Sequence, residues 1–107
     1  MPTTIASDQP LLTLVNTFTV EPERQQELVR LLIEATELVM RRLPGFVSAN
    51  IHRGLDGTHV ANYAQWRSRE DFEAMLRNPE AKEHMGRAAA IARFEPLLYE
   101  VVETIGG

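Results

Sequence analysis

The apolar residues of this chain change their spacing in a fixed order, and that order limits the fold more than any other feature of the sequence. From Leu11 to Val20 apolar residues alternate with others, as is typical of a strand with one buried face. Within residues 22–42 the apolar residues recur at helical spacing. Glu21-Pro22 is typical of the start of a helix, and Pro44-Gly45 prevents its continuation. The apolar stripe of this helix is wide enough to cover a sheet.

A pair of strands is predicted after the helix. Residues 46–53 and 59–67 have strand character, and Asp56-Gly57 between them is typical of a tight hairpin. On the returning strand, alternation places four residues on one face: Val60, Asn62, Ala64 and Trp66.

Two helical stretches and a last strand follow. Ser68 opens a helix as part of a capping box, and Asn78-Pro79 interrupts that helix. Helical spacing resumes over residues 80–92. We expect Pro96 to end this stretch and residues 97–105 to form the last strand.

The element order is therefore β-α-β-β-α-β, which predicts an α+β fold of the ferredoxin-like type with an antiparallel sheet and both helices on one face. Residues 1–10 are expected to form a flexible leader and residues 11–107 a single domain. No layer remains for the second sheet face, so we expect a second copy to cover it, giving a homodimer. Five residues are assigned to that face: Val47, Ala49, Ile51, Ala61 and Tyr63.

Composition and charge exclude several classes of function. Eleven Lys and Arg against fifteen Asp and Glu give a net charge of −4, which argues against a nucleic acid or an anionic membrane as partner. Without cysteine, the chain has no disulfide, thiolate metal site or cysteine nucleophile. The sequence contains no run of about 20 apolar residues and no secretory signal, so we expect a cytoplasmic protein.

The informative polar residues lie on faces that are otherwise apolar. Asn16 shares a strand face with Leu14 and Phe18, and Asn62 shares one with Trp66. A buried amide without a partner costs about 1–3 kcal/mol. Either the two asparagines are satisfied within an ordinary core, or with Trp66 they line a pocket for a flat, oxygenated, largely apolar ligand.

Other chemistry has little support, because the sequence has no paired histidines, carboxylate cluster or glycine-rich phosphate loop. We therefore expect no metal site. Four further residues are candidates for substrate binding: Phe72, Met75, His52 and His84. For His52 a solvent-facing position is an equal alternative, for His84 an ordinary surface or core histidine, and for Met75 a plain core residue.

Four motifs together resemble the antibiotic biosynthesis monooxygenase family over about residues 11–105: Val-Asn-Thr-Phe-Thr-Val at 15–20, Pro-Gly-Phe at 44–46, Asp-Gly-Thr at 56–58 and Asn-Tyr-Ala-Gln-Trp at 62–66. The chain looks most like the cofactor-independent monooxygenases of aromatic polyketide pathways. The resemblance implies a dimeric α+β barrel that oxidises an anthrone-type polycyclic phenol to a quinone with O₂, without flavin, haem or metal. It also implies that Asn16, Asn62 and Trp66 hold the substrate and favour its enolate.

The sequence departs from these relatives at two positions. Some of them have a tyrosine, thought to assist proton transfer, where this chain has Phe72, and Arg87 is only a loose counterpart of an arginine that others use. Haem-degrading oxygenases of the same superfamily also resemble the chain at Asn16 and His84, but their pocket tryptophan would fall at Met75. A non-catalytic dimeric barrel is the third alternative.

Overall fold

The computed structural model describes residues 2–107, whose four strands form one antiparallel sheet. The strands are β1 (Leu12–Val20), β2 (Phe46–Arg53), β3 (His59–Trp66) and β4 (Ala92–Tyr99). They lie side by side in the order β2-β3-β1-β4. This topology confirms the predicted α+β ferredoxin-like fold.

Three α-helices pack against one face of the sheet: α1 (Gln25–Leu38), α2 (Arg69–Arg77) and α3 (Pro79–Ala89). The first predicted helix is divided, because 3₁₀ turns at Pro22–Arg24 and Met40–Arg42 flank α1. Ser68 caps α2 by accepting a hydrogen bond from the Asp71 N–H at 3.1 Å. Asn78 caps α3 in the same way, with Pro79 at its first position, so the predicted interruption is confirmed.

The core lies between the sheet and the helices in two clusters. One surrounds Trp66 and Leu14, and the other surrounds Phe18, Leu28 and Val60. The faces predicted for β1 and β3 are therefore confirmed, since the buried strand residues of these clusters occupy alternating positions, namely Leu14 and Phe18 on β1 and Val60 and Trp66 on β3. None of the helices within residues 2–107 is long and apolar enough to cross a membrane.

A bulge in β2 reverses the faces predicted for that strand. The pairing of β2 with β3 shifts between Phe46 and Ser48, and beyond this point Ala49 and Ile51 pack against the core. The assignment of Ala49 and Ile51 to the uncovered face is therefore wrong. The extra residue of the bulge breaks the simple alternation from which that face was inferred.

The last strand also differs from the prediction. β4 begins at Ala92 and runs through Pro96, whereas residues 100–107 form no strand. The expectation that the strand spans residues 97–105 is wrong because β4 lies at an edge of the sheet, where proline is tolerated. This register places Pro96 opposite Asn16.

Part of the leader is hydrogen-bonded to the sheet face that the helices leave uncovered. Gln65 donates to the Thr4 carbonyl oxygen at 2.8 Å and accepts from the Ser48 hydroxyl at 2.9 Å. Asn50 donates to the Thr3 hydroxyl at 2.5 Å. We call these five residues the leader network. The leader therefore contacts the domain itself over β2 and β3.

Candidate active site

A cavity of about 100 Å³ lies between the sheet and the helices. Side chains from all four strands and all three helices contribute to its wall, and most of them are apolar. A single water needs only about 10–15 Å³ of such space, so the cavity has room for more than an isolated water molecule.

Two asparagines face this cavity side by side. Asn16 on β1 and Asn62 on β3 are direct partners in the antiparallel pairing, and both line the cavity. Residues opposite each other on one sheet face have Cβ atoms about 4.5–5.5 Å apart. Asn16 is only 5% exposed.

The carboxamide oxygens of Asn16 and Asn62 are both buried, and neither accepts a hydrogen bond from any described residue. A mutually satisfied pair would leave at least one of these oxygens bonded, so Asn16 and Asn62 do not satisfy each other. Pro96, the other neighbour of Asn16, has no N–H to offer. Both oxygens therefore lack a protein partner among the described residues that line the cavity.

Three aromatic rings, which we call the aromatic wall, form one end of the cavity: Phe46, Trp66 and Phe72. The ring centroids of Trp66 and Phe46 are 5.6 Å apart at an interplanar angle of 88°, and those of Trp66 and Phe72 are 6.3 Å apart at 69°. Both pairs have the edge-to-face geometry that aromatic side chains favour. Trp66 follows Asn62 by four residues, or about 13 Å along β3.

A glycine turn fixes the aromatic wall from outside the cavity. Gly45 has a φ of +83°, and a Cβ there would lie 2.3 Å from the Asp71 Oδ2 atom. The Gly45 carbonyl accepts a hydrogen bond from the Arg67 N–H at 2.7 Å. The turn that carries Phe46 is thereby held against the segment joining β3 to α2.

The structure brings five of the seven sequence-predicted site residues to the cavity: Asn16, Asn62, Trp66, Phe72 and Met75. The other two do not line it. His52 is exposed on the opposite sheet face, because the bulge in β2 reverses that part of the strand. His84 is half-buried on α3, where the neighbouring Met85 reaches the cavity instead.

Sequence reasoning missed Thr36 and Phe94 in the cavity wall. Phe94 was missed because the last strand was expected to begin at residue 97, whereas β4 begins at Ala92. Thr36 follows the inward-facing Ala35, a position that could have indicated it. Its hydroxyl donates to the Leu32 carbonyl at 2.8 Å, so that proton is used within α1.

Among the described residues, those that line the cavity include no acidic, basic, histidine or tyrosine side chain. Arg87 is on the surface, where it pairs with Glu83 at 2.8 Å and with Glu34 at 3.9 Å. Within residues 2–107, no three histidine or acidic side chains are grouped so that they could hold a metal ion. The polar side chains of the described lining are therefore Thr36 and the two asparagines, and the carboxamides of Asn16 and Asn62 are suited to form hydrogen bonds to the oxygen atoms of a largely apolar molecule.

Comparison with known proteins agrees with this geometry. Residues 11–87 match the family model described as antibiotic biosynthesis monooxygenase. The tetracenomycin-F1 monooxygenase of Streptomyces glaucescens is 45% identical over 103 residues, covering 96% of this chain and 92% of that protein.

Two crystal structures of oxygenases have a similar fold. An asparagine-to-alanine variant of SnoaB, a cofactor-independent oxygenase from Streptomyces nogalater, has a TM-score of 0.79 at 25% identity, covering 92% of this chain and 99% of that one. The ActVA-Orf6 monooxygenase of Streptomyces coelicolor, in complex with nanaomycin D, has a TM-score of 0.81 at 28% identity, covering 90% and 91%.

Proposed function

The chain belongs to the antibiotic biosynthesis monooxygenase family and is a monooxygenase, and from this premise we propose that it oxidises an anthrone-type polycyclic aromatic polyketide to a quinone with O₂ and without a cofactor. The names of its relatives support the substrate class, since one is a tetracenomycin-F1 monooxygenase and the structure of another contains nanaomycin D. The cofactor-independent activity of SnoaB supports the absence of a cofactor.

The observation that carries the proposal is the adjacent pair of asparagines in an apolar cavity, whose carboxamide oxygens have no hydrogen-bond partner among the described residues. A carboxamide can both donate and accept hydrogen bonds, so Asn16 and Asn62 suit the phenol and carbonyl oxygens of such a substrate. Donation to the oxygen that becomes negative in the enolate lowers the energy of that charge. The apolar wall keeps water from competing for the same oxygen.

In the proposed reaction the substrate supplies the electrons. Loss of a proton from the carbon opposite the anthrone carbonyl gives an enolate, which transfers one electron to O₂. The substrate radical and superoxide combine to a peroxide anion at that carbon. This anion takes up a proton, replacing the one lost at the start, to give a hydroperoxide, and loss of water leaves the second carbonyl of the quinone. The described part of the lining has no side-chain base, so we assign the proton to water. Asn16 and Asn62 hold the enolate oxygen, and the aromatic wall orients the rings.

We also propose that the chain functions as a homodimer. On the sheet face away from the helices, the leader network covers β2 and β3, while Leu97 and Tyr99 on β4 remain about half exposed beside Val15 of β1. A second copy packed on this apolar strip would bury it. Light scattering that detects only monomers at micromolar concentration would contradict this part of the proposal.

The test of the reaction uses the purified chain and an anthrone such as dithranol. We expect quinone formation with matching O₂ consumption, without added flavin, NAD(P)H or metal and in the presence of a chelator. Trp66 is the only tryptophan, so quenching of its fluorescence reports binding in the cavity. Turnover that requires flavin would contradict the mechanism, and a haem Soret band that depends on His84 would favour the haem-degrading alternative.

A further inference from the structure

The cavity wall contains every methionine whose position the structure describes. Of the four methionines in the chain, Met40, Met75 and Met85 line the cavity, and the fourth is Met1, outside the described residues. Met40 and Met75 are buried, and Met85 is half-buried. We call these three the cavity methionines. Since the chain has no cysteine, their thioethers are the only sulfur groups in residues 2–107.

The cavity methionines surround the same space as the aromatic wall. Met75 follows Phe72 by one helical turn, and both belong to the buried cluster that contains Trp66. Met40 is part of that cluster, and Met85 packs against it from α3. A reactive oxygen species formed beside Trp66 therefore meets thioethers contributed by three different elements.

We propose that the cavity methionines accept oxygen from the hydroperoxide intermediate and are converted to sulfoxides during turnover, an inference that rests on the proposed function. The sulfur lone pair attacks the terminal oxygen of the hydroperoxide, and the O–O bond breaks. The hydroperoxide becomes an alcohol that keeps the proton, and the thioether becomes a sulfoxide. Sulfur loses the two electrons that the O–O bond gains, so the step needs no further oxidant.

This side reaction spares Trp66 but damages the site. A sulfoxide is polar, so it disrupts an apolar wall and weakens the binding of an apolar substrate. The cavity methionines would then protect the indole of Trp66 from oxidation. Because each sulfoxide weakens substrate binding, each chain would complete only a limited number of turnovers. If they are merely flexible filling for the core, turnover will leave them unmodified.

The test is turnover of dithranol under ¹⁸O₂, followed by tryptic digestion and mass spectrometry. Trypsin cleaves after lysine and arginine and so places the relevant residues in four different peptides: residues 31–41 with Met40, 70–77 with Met75, 83–87 with Met85 and 54–67 with Trp66. A sulfoxide with oxygen from ¹⁸O₂ adds roughly 18 Da to its peptide. Catalase is present throughout to remove free hydrogen peroxide.

A matched control places a thioether in solvent. Val102 is 81% exposed in the C-terminal segment and lies in a fifth peptide, residues 94–107, so Val102→Met reports oxidation outside the cavity. We expect at least about fivefold more heavy-oxygen label on the cavity methionines than on this reporter. Quinone formation without label on the cavity methionines, or with equal label on the reporter, would overturn the inference and leave the proposed function intact.

Two further experiments, one with a methionine-free cavity and one with an added hydroperoxide, complete the test. In a Met40→Leu, Met75→Leu, Met85→Leu variant, which keeps the core volume nearly constant, we expect label to move to the peptide that contains Trp66. If the chain does not oxidise dithranol, the proposed function fails, and cumene hydroperoxide tests the methionines directly. Preferential oxidation of the cavity methionines over the exposed reporter supports the oxygen transfer from a hydroperoxide to these residues, and the reverse order overturns the inference.

Discussion

Two carboxamides three residues apart on β3 have opposite environments. Gln65 is 2% exposed on the face away from the helices, and its carboxamide is bonded on both sides, to the Ser48 hydroxyl and the Thr4 carbonyl. Asn62 faces the cavity, where its oxygen is buried without a partner. The same functional group is therefore satisfied by the protein on one face of the strand and left unsatisfied on the other.

Hydrogen bonding separates the structural from the functional amides of this molecule. A buried amide with its hydrogen bonds made adds modestly to stability, whereas one left unbonded costs about 1–3 kcal/mol. The protein bears that cost at two adjacent positions, Asn16 and Asn62, which both point into one cavity. We therefore expect loss of Gln65 to affect folding and loss of Asn62 to affect the reaction.

The largest effect is expected for Asn62→Ala. Removal of a donor to the enolate oxygen should lower kcat/KM for dithranol about 100-fold, or about 2.7 kcal/mol, while the melting temperature changes little because no protein partner is stranded. Steady-state kinetics and thermal unfolding of the same preparation check both parts.

Asn16→Ala and the double variant make this test sharper. Two amides that bind one ligand should be coupled in kcat/KM but not in the free energy of unfolding, since they form no hydrogen bond with each other. Strong coupling in unfolding, with unchanged turnover per folded chain, would show that the asparagines are core residues after all.

The next effect concerns the opposite face. Gln65→Ala strands the Ser48 hydroxyl and the Thr4 carbonyl, so the free energy of unfolding in urea should fall by about 1–3 kcal/mol. Turnover per folded chain should stay near that of the parent protein, because Gln65 does not line the cavity. A tenfold loss of turnover in chains that remain folded would contradict the separation of the two faces.

The sequence could predict which residues of β1 and β3 share a face, because alternation is a local property of an extended strand. On that basis Asn16, Asn62 and Trp66 were expected together, and the structure brings them to one cavity. The same rule failed for Ala49 because a bulge adds a residue that the sequence does not mark.

Features that depend on the tertiary neighbourhood could not be predicted. Pro96 was expected to end a helix, yet it lies inside β4, since an edge strand does not need its missing N–H. Whether Asn16 and Asn62 satisfy each other depends on atoms within hydrogen-bond distance, which no spacing in the sequence reports. For the same reason the positions of His52 and His84 outside the cavity became clear only from the fold.

The smallest effect is expected for Asp56 in the hairpin between β2 and β3. Its carboxylate is a third polar group, which is hydrogen-bonded but exposed. The Thr58 N–H, followed by the His59 side chain, holds the pKa of Asp56 below its ordinary value of 3.8. A lowered pKa means that Asp56 stabilises the folded chain above that value and that this contribution is lost as the pH falls through the lowered pKa. Asp56→Asn should therefore reduce the melting temperature slightly at pH 7, and the difference from the parent protein should disappear in strong acid.

Because Asp56 lies at the surface, away from the cavity, dithranol turnover should not change. A loss of turnover from this variant would mean that satisfied polar groups outside the cavity also control the reaction, and the contrast between Gln65 and Asn62 would then have to be explained differently.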